Sequence, residues 1–511
     1  MNDDCANIGI SDVSEASGNS EILGISKASK QMTPREQKLY ELGKDFGFLG
    51  LLSIAYGIVA SFCLYRNPLG ITVPLFVAVT YGVMFLVFRH MKMAVKRGAV
   101  CLAVLSFLIG LSTCFTANMI VGYHMNRLAL VLLFCIFVLH QFHQDRQWNI
   151  GKYVSSIALY LVQAVGLLYI PFKHLADFTR SLRNRKYKTV IGLLAGVCAA
   201  IPAVIILCIL LASADMVFNN MLLVVIEDFL NPVTMFLVTI QAVAWMMILY
   251  CLVCSACAGR ISDETVDRRT HSPVTAISFM FMIALIYLVF CIIQVVYLFM
   301  GRGSLPGSMT YSEYARQGFF QLLFVVLINL VMVLMCLKYC KKNVLLNGVL
   351  LVVSLCTYVM IASAVYRMVL YVEQYHLTFL RVLVLWFLAM LVVLMAGVVL
   401  LIFNHEFPLF RFCLITISVF YLGFAWMKPD YVIAKYNVEH DTSPVEVRYM
   451  NLDLFSLSAD AAPAILSMED GKLRDELISA YAGEYDWVDG GSVGIRTFNF
   501  SAQNARRLES N

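Results

Sequence analysis

Charged residues are scarce in this sequence. Only 14% of the 511 residues are Asp, Glu, Lys or Arg, whereas 60% are apolar. A soluble globular domain carries about 25% charged residues. The deficit argues against a water-soluble protein, because most of the chain has too few charges to face water. The apolar surplus indicates instead that the main part of the chain lies in a lipid bilayer.

Several short motifs that carry chemistry are missing as well. The sequence has no GxxxxGK[ST] phosphate loop, no HExxH zinc pair and no GxSxG nucleophile elbow. The predicted first outer loop, Arg66-Asn67-Pro68, lacks the acidic residues expected of a polytopic glycosyltransferase. We therefore predict no catalytic residues and no cofactor, and an enzyme is the less favoured class.

Cysteine is absent after Cys413, and nearly all of the 15 cysteines lie inside apolar runs, where they behave as small hydrophobic residues. A CxxCxxC run spans 251–257, but a cluster site needs a fourth ligand and a loop. His140 and His143 are spaced i,i+3, yet no third ligand lies nearby in sequence. We therefore predict no metal site.

Long apolar segments are what the sequence has in abundance. Crossing about 30 Å of hydrocarbon takes about 20 residues, and twelve segments approach that length. The fourth and fifth are the weakest, because the fourth has only about 15 residues and ends in a polar run that begins at His140. The predicted fold class is all-α, a polytopic transmembrane helix bundle of 11–12 spans with a small C-terminal soluble domain. The segments are 47–65, 69–88, 100–121, 128–142, 153–171, 189–212, 233–257, 275–300, 317–338, 344–365, 380–403 and 410–427.

Loop charges predict the orientation, because short loops rich in Lys and Arg remain on the cytoplasmic side. Five regions are basic, and the loop 213–232 has no Lys or Arg. Twelve spans would put the basic loop 172–188 outside, whereas eleven put every strongly basic region inside. We therefore predict eleven spans, with either 128–142 or 153–171 re-entrant or interfacial. The five basic regions are the stretch before the first span, 89–99, 172–188, 259–274 and the loop after the ninth span.

Composition divides the chain into three predicted regions. Residues 1–45 are a mostly disordered cytoplasmic tail, 46–427 form the membrane bundle, and 428–511 form a small extracytoplasmic domain. The last region holds 8 Lys/Arg against 14 Asp/Glu, compared with 25 against 11 in the bundle. So short a region has little core of its own, so we expect it to pack on the bundle or on a partner. Short helices are predicted at Glu36–Gly43, Leu473–Tyr481 and Ala502–Leu508.

Ionisable residues at the edge of a bilayer are functional candidates, because burying a charge there is costly. Three groups flank the outer ends of late spans and form one candidate polar cluster. Its two glutamates could pair with its three arginines, leaving one positive charge to hold a carboxylate or phosphate. The plainer interpretation, which we favour, is that these residues anchor in the lipid headgroups. The cluster comprises Tyr311, Glu313, Arg316, Arg367, Tyr371, Glu373 and Arg381.

Polar residues inside the spans leave the function open. Gln241, Gln294, Gln321 and Asn329 suit interhelical hydrogen bonds but would equally line a solute pathway. The favoured hypothesis is a scaffold, sensor or partner subunit, with the lipid bilayer and a protein bound through 428–511 as its partners. The alternatives are a transporter or lipid-handling permease, and a membrane-embedded enzyme that acts on a lipid or cell-wall intermediate. Nucleic acid is excluded as a partner, since the basic residues form no single face.

Several stretches in the second half are similar to a known family. The sequence MTYSEYARQGFF at 309–320 resembles the core signature of an uncharacterised bacterial membrane family, the domain of unknown function 4153/4173 group. Pieces within 367–381, 429–437 and 458–463 agree in order, although this chain has His376 where the family usually has Gly. The resemblance covers roughly 190–511 and implies a bacterial source and a plasma-membrane location. It implies no activity.

Overall fold

The computed structural model describes ten stretches of the chain and a few positions between 207 and 215. Within them every regular element is helical, apart from one isolated bridge between His271 and Cys340. This confirms the predicted all-α class. The described stretches are 33–67, 69–145, 148–182, 232–259, 261–263, 269–300, 311–440, 454–468, 471–483 and 495–509.

The helices are numbered in chain order, and the first eight belong to the N-terminal half. They are α1 Pro34–Lys44, α2 Phe46–Leu64, α3 Thr72–His90, α4 Arg97–Ser112, a π-helical turn Ile120–Met125 that leads into α5 Asn126–Phe142, α6 Ile150–Gly166, α7 Ile170–Leu182 and α8 Pro232–Ala258.

The second half continues with five long helices and a set of short ones. The long helices are α9 Pro273–Met300, α10 Tyr311–Tyr339, α11 Val344–Tyr375, α12 Phe379–Phe403 and α13 Leu409–Met427. The short ones are α14 Pro429–His440, α15 Ala462–Ile465, α16 Lys472–Gly483 and α17 Phe500–Glu509, with 3-10 turns at Leu454–Ser456, Ala459–Ala461 and Ile495–Thr497.

Nine of the described helices are long and apolar enough to cross a bilayer. The pair α6 and α7 passes the same test only if its 46° bend is counted as part of one span, and α4 is apolar but short. The protein is therefore a multi-pass membrane protein, as predicted. The predicted sixth span, 189–212, and the loop 213–232 after it lie almost wholly outside the described residues.

The ends of the membrane helices gather at two opposite faces of the bundle. One of them, which we call the basic face, carries the start of α2, the end of α3, the start of α4 and the end of α5. The Asp45 carboxylate lies 3.4 Å from the His90 ring there, and the Lys96 ammonium donates to the His143 carbonyl at 2.6 Å. The described parts of all five predicted basic regions lie at this face, which also carries α1.

The same face continues into the second half of the bundle. The His271 amide before α9 donates to the Tyr339 carbonyl at the end of α10, at 3.0 Å. The Asn347 side chain near the start of α11 donates to the Ile402 carbonyl at the end of α12, at 3.2 Å. Within α2–α5 and within α8–α13, successive helices therefore alternate in direction. Each of these helices crosses the bundle once, including the short α4.

The opposite face, which we call the tail face, carries the other helix ends together with α14–α17. Arg127 at the start of α5 donates to the Asn67 carbonyl after α2, at 3.4 Å. Asn437 of α14 both donates to the Leu377 carbonyl and accepts from its amide, at 2.9 and 2.8 Å. The N-terminal helix and the C-terminal segment thus lie at opposite faces.

The bent pair α6 and α7 lies along the basic face. The Tyr160 hydroxyl of α6 donates to the Leu252 carbonyl near the end of α8, at 3.2 Å. The Phe178 ring of α7 lies 5.4 Å from the ring of Phe46 at the start of α2. Both ends of the pair therefore contact the same face. A re-entrant or interfacial pair has both ends at one face, and the placement of 153–171, one of the two alternatives that eleven spans require, stays a prediction.

The third and fourth predicted spans have different bounds in the structure, and the tenth, expected at 344–365, continues to Tyr375. The third was expected at 100–121, but α4 ends at Ser112 because the polar residues that follow it bond to the C-terminal segment. The fourth was expected at 128–142 and judged weak, but the π-helical turn extends it to Ile120–Phe142, a span of 23 residues. A single-residue bulge of this kind leaves no periodic signal in the sequence.

The C-terminal segment shares its core with the bundle. Half of the buried residues that it contributes are alanines, such as Ala461, Ala462 and Ala505, and they pack together with Leu69 and Ala117 from the tail-face loops. The expectation that this region packs on the membrane portion is confirmed. The short helices predicted at both ends of the chain correspond to α1, α16 and α17.

Gly57 lies where α2 and α8 approach most closely. A Cβ there would be 2.4 Å from the Ala242 carbonyl oxygen, so Gly57→Ala should push the two helices apart. We expect the free energy of unfolding to fall by about 1–3 kcal/mol. Thermal unfolding in detergent, followed by tryptophan fluorescence, measures the change.

The matched control for this substitution is Gly82→Ala in α3. A Cβ at Gly82 meets no atom within 4 Å, and alanine favours helix over glycine. We expect its melting temperature to stay at or slightly above that of the wild type. Equal destabilisation by both substitutions would contradict close α2–α8 packing at Gly57.

Candidate functional sites at the two faces

The predicted polar cluster is brought together in part, at the tail face. The Arg381 guanidinium lies 4.3 Å from the centre of the Tyr371 ring and donates to the carbonyls of Tyr375 and His376. These carbonyls lie at the end of α11, so the arginine closes that helix terminus. Arg381 therefore uses part of its hydrogen-bonding capacity to bind the backbone at the end of α11.

The structure describes the side chains of two of the remaining members of the cluster, Arg367 and Glu373. Arg367 lies one turn before Tyr371 on α11, and Glu373 is exposed and forms no ion pair within the described part of the chain. The side chains of Tyr311, Glu313 and Arg316 lie outside the described residues. The pairing of Glu313 with an arginine therefore stays a prediction.

His376 terminates α11 with φ +60°. A side chain is disfavoured in this left-handed region, whereas glycine adopts it at little cost. This backbone conformation favours glycine, the residue that the resemblance leads us to expect at this position. The carbonyl of His376 also binds Arg381, which holds the residue in that conformation.

Asp430 is the first centre of a buried polar network that the sequence reasoning did not identify. Its side chain is almost fully buried, and its Oδ2 accepts from Asn118 Nδ2 at 2.8 Å, from the Ser458 amide at 3.0 Å and from the Ser458 hydroxyl at 2.6 Å. Asn118 in turn accepts from the Val121 amide at 2.9 Å, at the start of the π-helical turn. One carboxylate thus joins α14, the C-terminal segment and the α4–α5 loop.

Asp460 is the second centre. It accepts from the Thr116 hydroxyl at 2.6 Å and from the Ala117 amide at 3.1 Å. Burial raises the pKa of Asp460, and this is opposed by hydrogen bonds from Ser501 and Thr116 and by the charge of Lys428. The Lys428 ammonium itself donates to the Ser501 hydroxyl at 2.9 Å. A buried carboxylate is therefore compensated by fixed donors and by one nearby cation.

Asn499 completes the attachment of the last helix. Its side-chain oxygen accepts from the amides of Ser501 and Ala502 and so caps α17, at 2.9 and 3.2 Å. Its side-chain nitrogen donates to the carbonyls of Thr113 and Thr116, at 3.0 and 2.8 Å. The same side chain therefore starts α17 and fixes it to the bundle. We call the set Thr116, Asn118, Asp430, Ser458, Asp460 and Asn499 the tail junction.

Two of the four in-span polar residues, Gln294 and Asn329, form interhelical hydrogen bonds, whereas Gln241 is half-buried and Gln321 is exposed. The Ser363 hydroxyl donates to Gln294 at 2.7 Å. Asn329 accepts from the Tyr287 hydroxyl at 2.7 Å and donates to Thr357 at 3.0 Å. These bonds join α9, α10 and α11. The sequence suggested interhelical hydrogen bonds or a solute pathway for such residues, and these two form the hydrogen bonds.

A second unforeseen cluster lies at the basic face around Asp145. Its side chain is 6% exposed and accepts from His140 Nδ1 at 2.7 Å and from the Tyr153 hydroxyl. The other carboxylate oxygen lies 3.2 Å from the Arg411 guanidinium. These partners come from α5, α6 and α13, so Asp145 links the two halves of the bundle. We call these four residues the Asp145 cluster.

The protonation of Asp145 follows from its partners. Burial acts to raise its pKa, but the hydrogen bonds from His140 and Tyr153 and the charges of His140 and Arg411 lower the pKa to about 2. The carboxylate is therefore ionised near neutral pH. A signal for this site was in the sequence, because an acidic residue directly after an apolar span is a functional candidate.

The two histidines considered as metal ligands contact different carboxylates. His140 binds Asp145, and His143 Nδ1 lies 2.7 Å from Asp263. Within the described residues, no group of three or more His, Cys, Asp or Glu side chains is arranged to hold a metal ion. In the CxxCxxC run, Cys251 and Cys254 are buried inside α8.

Comparison with known proteins gives one match. A family model described as domain of unknown function (DUF4153) matches residues 98–468, well over half of the chain. The protein belongs to the DUF4153 family. The match starts earlier than the stretch that showed the resemblance, and it includes Asn118 and Asp145 as well as Asp430 and Asp460. No curated protein and no solved structure matches the chain significantly.

Proposed function

We propose that this protein is a non-catalytic membrane subunit that holds its C-terminal segment rigidly at the outer face of the bacterial plasma membrane, where it binds a partner protein. The observation that carries the proposal is the tail junction. Two almost fully buried aspartates, Asp430 and Asp460, are both satisfied by donors from the α4–α5 loop and the C-terminal segment. Such a network specifies one arrangement, because any displacement leaves buried polar groups unpaired.

The surface of the segment supports a binding role. Phe455 and Leu466 lie in a region rich in acidic residues, yet their side chains are 50% and 42% exposed. We propose that the partner protein covers these two side chains. A rigid attachment keeps such a surface in a fixed orientation relative to the membrane.

Loop charge supports the orientation. The basic face carries Lys44, Lys92, Lys96, Lys173 and Lys341 among other cations, whereas the described tail-face loop 113–119 has no Lys or Arg. The proposal therefore assigns the basic face to the cytoplasm and the tail face to the outside. Eleven spans follow if 189–212 crosses once, as its apolar length predicts. The family resemblance supplies the bacterial plasma membrane as the location.

A pair of Lys→Cys substitutions tests the proposal. Lys472→Cys places a thiol on α16, where the native side chain is 88% exposed, and the native sequence has no cysteine after Cys413. Lys341→Cys is the matched control at the basic face. In intact cells we expect a membrane-impermeant maleimide to label Lys472→Cys, and Lys341→Cys only after permeabilisation.

A photo-cross-linker attached at the Lys472→Cys thiol then tests the binding role. We expect a discrete adduct with one other membrane or periplasmic protein, identified by mass spectrometry and not seen from Lys341→Cys. Labelling of Lys341→Cys in intact cells would contradict the orientation alone. Correct labelling without an adduct, or with an adduct only to a second copy of this chain, would contradict the partner-binding role.

A further inference from the structure

A cavity of about 570 Å³ lies between α1 and α7 at the basic face. This volume is within the range of about 300–1,000 Å³ that is typical of ligand pockets. Its lining combines apolar and cationic side chains, since two lysines stand beside aromatic and aliphatic residues. The residues used in the argument below are Leu39, Tyr40, Lys44, Tyr169, Lys173 and Phe178.

The position of α7 places this cavity at the lipid headgroups. Leu167 and Ile170, which join α6 to α7, are each 2% exposed and face the bundle, whereas Tyr169 and Phe172 are 60% and 64% exposed. A helix pair that lies along one face with apolar side chains outward is typical of the membrane interface. The cavity therefore opens where headgroups and the first part of the acyl chains are found.

The two lysines that line the cavity are not paired with the carboxylates around it. Glu36 accepts hydrogen bonds from the Thr33 amide and hydroxyl, both at 2.9 Å, in the N-terminal cap of α1. Asp177 lies 4.0 Å from the Arg180 guanidinium. Lys44 and Lys173 are exposed and form no ion pair within the described residues. The carboxylates are thus partly engaged elsewhere, and neither ammonium group has a carboxylate partner among the described residues.

The apolar walls of the cavity, in addition to its positive charge, are complementary to a lipid. The Lys44 ammonium lies 4.8 Å above the centre of the Tyr40 ring, so this lysine is held against an aromatic surface. Leu39 forms a buried floor, and the Phe178 ring packs on Phe46 at the start of α2. Ammonium groups over an apolar floor match a molecule with an anionic head and an apolar body.

We propose that this cavity binds the phosphodiester headgroup of an anionic phospholipid, with Lys44 and Lys173 as the phosphate-binding residues and the exposed side chains of α7 as contacts for the acyl chains. The bound lipid would tie α1 to the interfacial helix pair. The proposal does not depend on the role of the C-terminal segment.

The test measures lipid binding to the full-length protein in detergent by native mass spectrometry. The probes are phosphatidylglycerol and phosphatidylcholine, which differ in net charge, together with water-soluble glycerol phosphate as a competitor. The cavity variant carries the double substitution Lys44→Gln and Lys173→Gln. The matched control is Lys341→Gln with Lys342→Gln, which removes two charges from the same face away from the cavity.

We expect phosphatidylglycerol to bind the wild type and the control pair equally. The cavity variant should bind about 30-fold more weakly, since each lysine near an anionic lipid contributes about 1 kcal/mol. Equal binding of phosphatidylcholine, or equal loss in both double variants, would overturn the proposal. Displacement of the lipid by millimolar glycerol phosphate would instead identify a site for soluble phosphate and would likewise overturn it.

A photoactivatable phosphatidylglycerol on the wild-type protein gives a second measurement that needs no variant. We expect the cross-linked peptides to come from α1 and α7. Cross-links confined to other helices would contradict the assignment even if the lysine variant failed to fold.

Discussion

Asp145→Ala is expected to lower the free energy of unfolding by about 3 kcal/mol, since it removes the buried partner of a charged cluster. The substitution leaves the Arg411 guanidinium, the His140 ring and the Tyr153 hydroxyl without their common acceptor. Because these partners come from α5, α6 and α13, the two halves of the bundle should separate more readily. Chemical or thermal unfolding in detergent measures the loss.

Glu406→Ala is the matched control for this substitution. Glu406 is an exposed carboxylate in the α12–α13 loop, close in sequence to Arg411. We expect its removal to change the free energy of unfolding by less than about 0.5 kcal/mol, which is usual for surface substitutions. Equal effects of the two substitutions would show that Asp145 does not link the two halves.

The same carboxylate gives the stability a pH dependence of known sign. The pKa of Asp145 in the folded protein is about 2, below its ordinary value of 3.8. Its contribution is therefore fully present above about pH 4 and is lost as the pH falls towards 2. The stability difference between the wild type and Asp145→Ala should shrink over that interval, and a constant difference would contradict the assigned ionisation.

Asp430→Ala should detach the C-terminal segment from the bundle. The substitution leaves the Asn118 amide and both donors of Ser458 without an acceptor, at a cost of about 2–4 kcal/mol. Limited proteolysis in detergent should then cut after His440 much faster than in the wild type, while the membrane helices survive as one fragment. Asp430→Asn keeps one side-chain oxygen, so its cleavage rate should lie between those of Asp430→Ala and the wild type.

Asp475→Ala is the control for the tail junction. Its side chain is 72% exposed on α16, and we expect the wild-type cleavage rate. Rapid cleavage in Asp475→Ala, or an unchanged rate in Asp430→Ala, would show that the buried network does not hold the segment in place.

The membrane helices could be predicted because hydrocarbon imposes a simple length rule. An apolar run of about 20 residues spans a bilayer whatever its neighbours do, so most of the described spans agree with the expected segments. The errors fell where tertiary contacts override that rule. Helix α4 ends at Ser112 because Thr113 and Thr116 bond to Asn499, and the fourth span is extended by a π-helical turn.

The polar cluster illustrates the limit of reasoning from single residues. Arg381 and Tyr371 do lie together, because short spacing around one helix end constrains where they can go. Most partners in the tail junction are separated by hundreds of residues, as with Thr116 and Asp460. Periodicity carries no information about such pairs, and only the resemblance at 429–437 and 458–463 pointed to these positions.

The sequence by itself determined which segments are long and apolar enough to enter lipid, and its loop charges supply the proposed orientation. It also determined the short polar helices at both ends of the chain. Tertiary structure alone decided that Asp145 joins the two halves, that α6 and α7 lie along one face, and that two buried aspartates fix the C-terminal segment. The physical reason is that hydrophobic transfer depends on local composition, whereas buried hydrogen bonds depend on which distant donors the packed helices bring within about 3 Å.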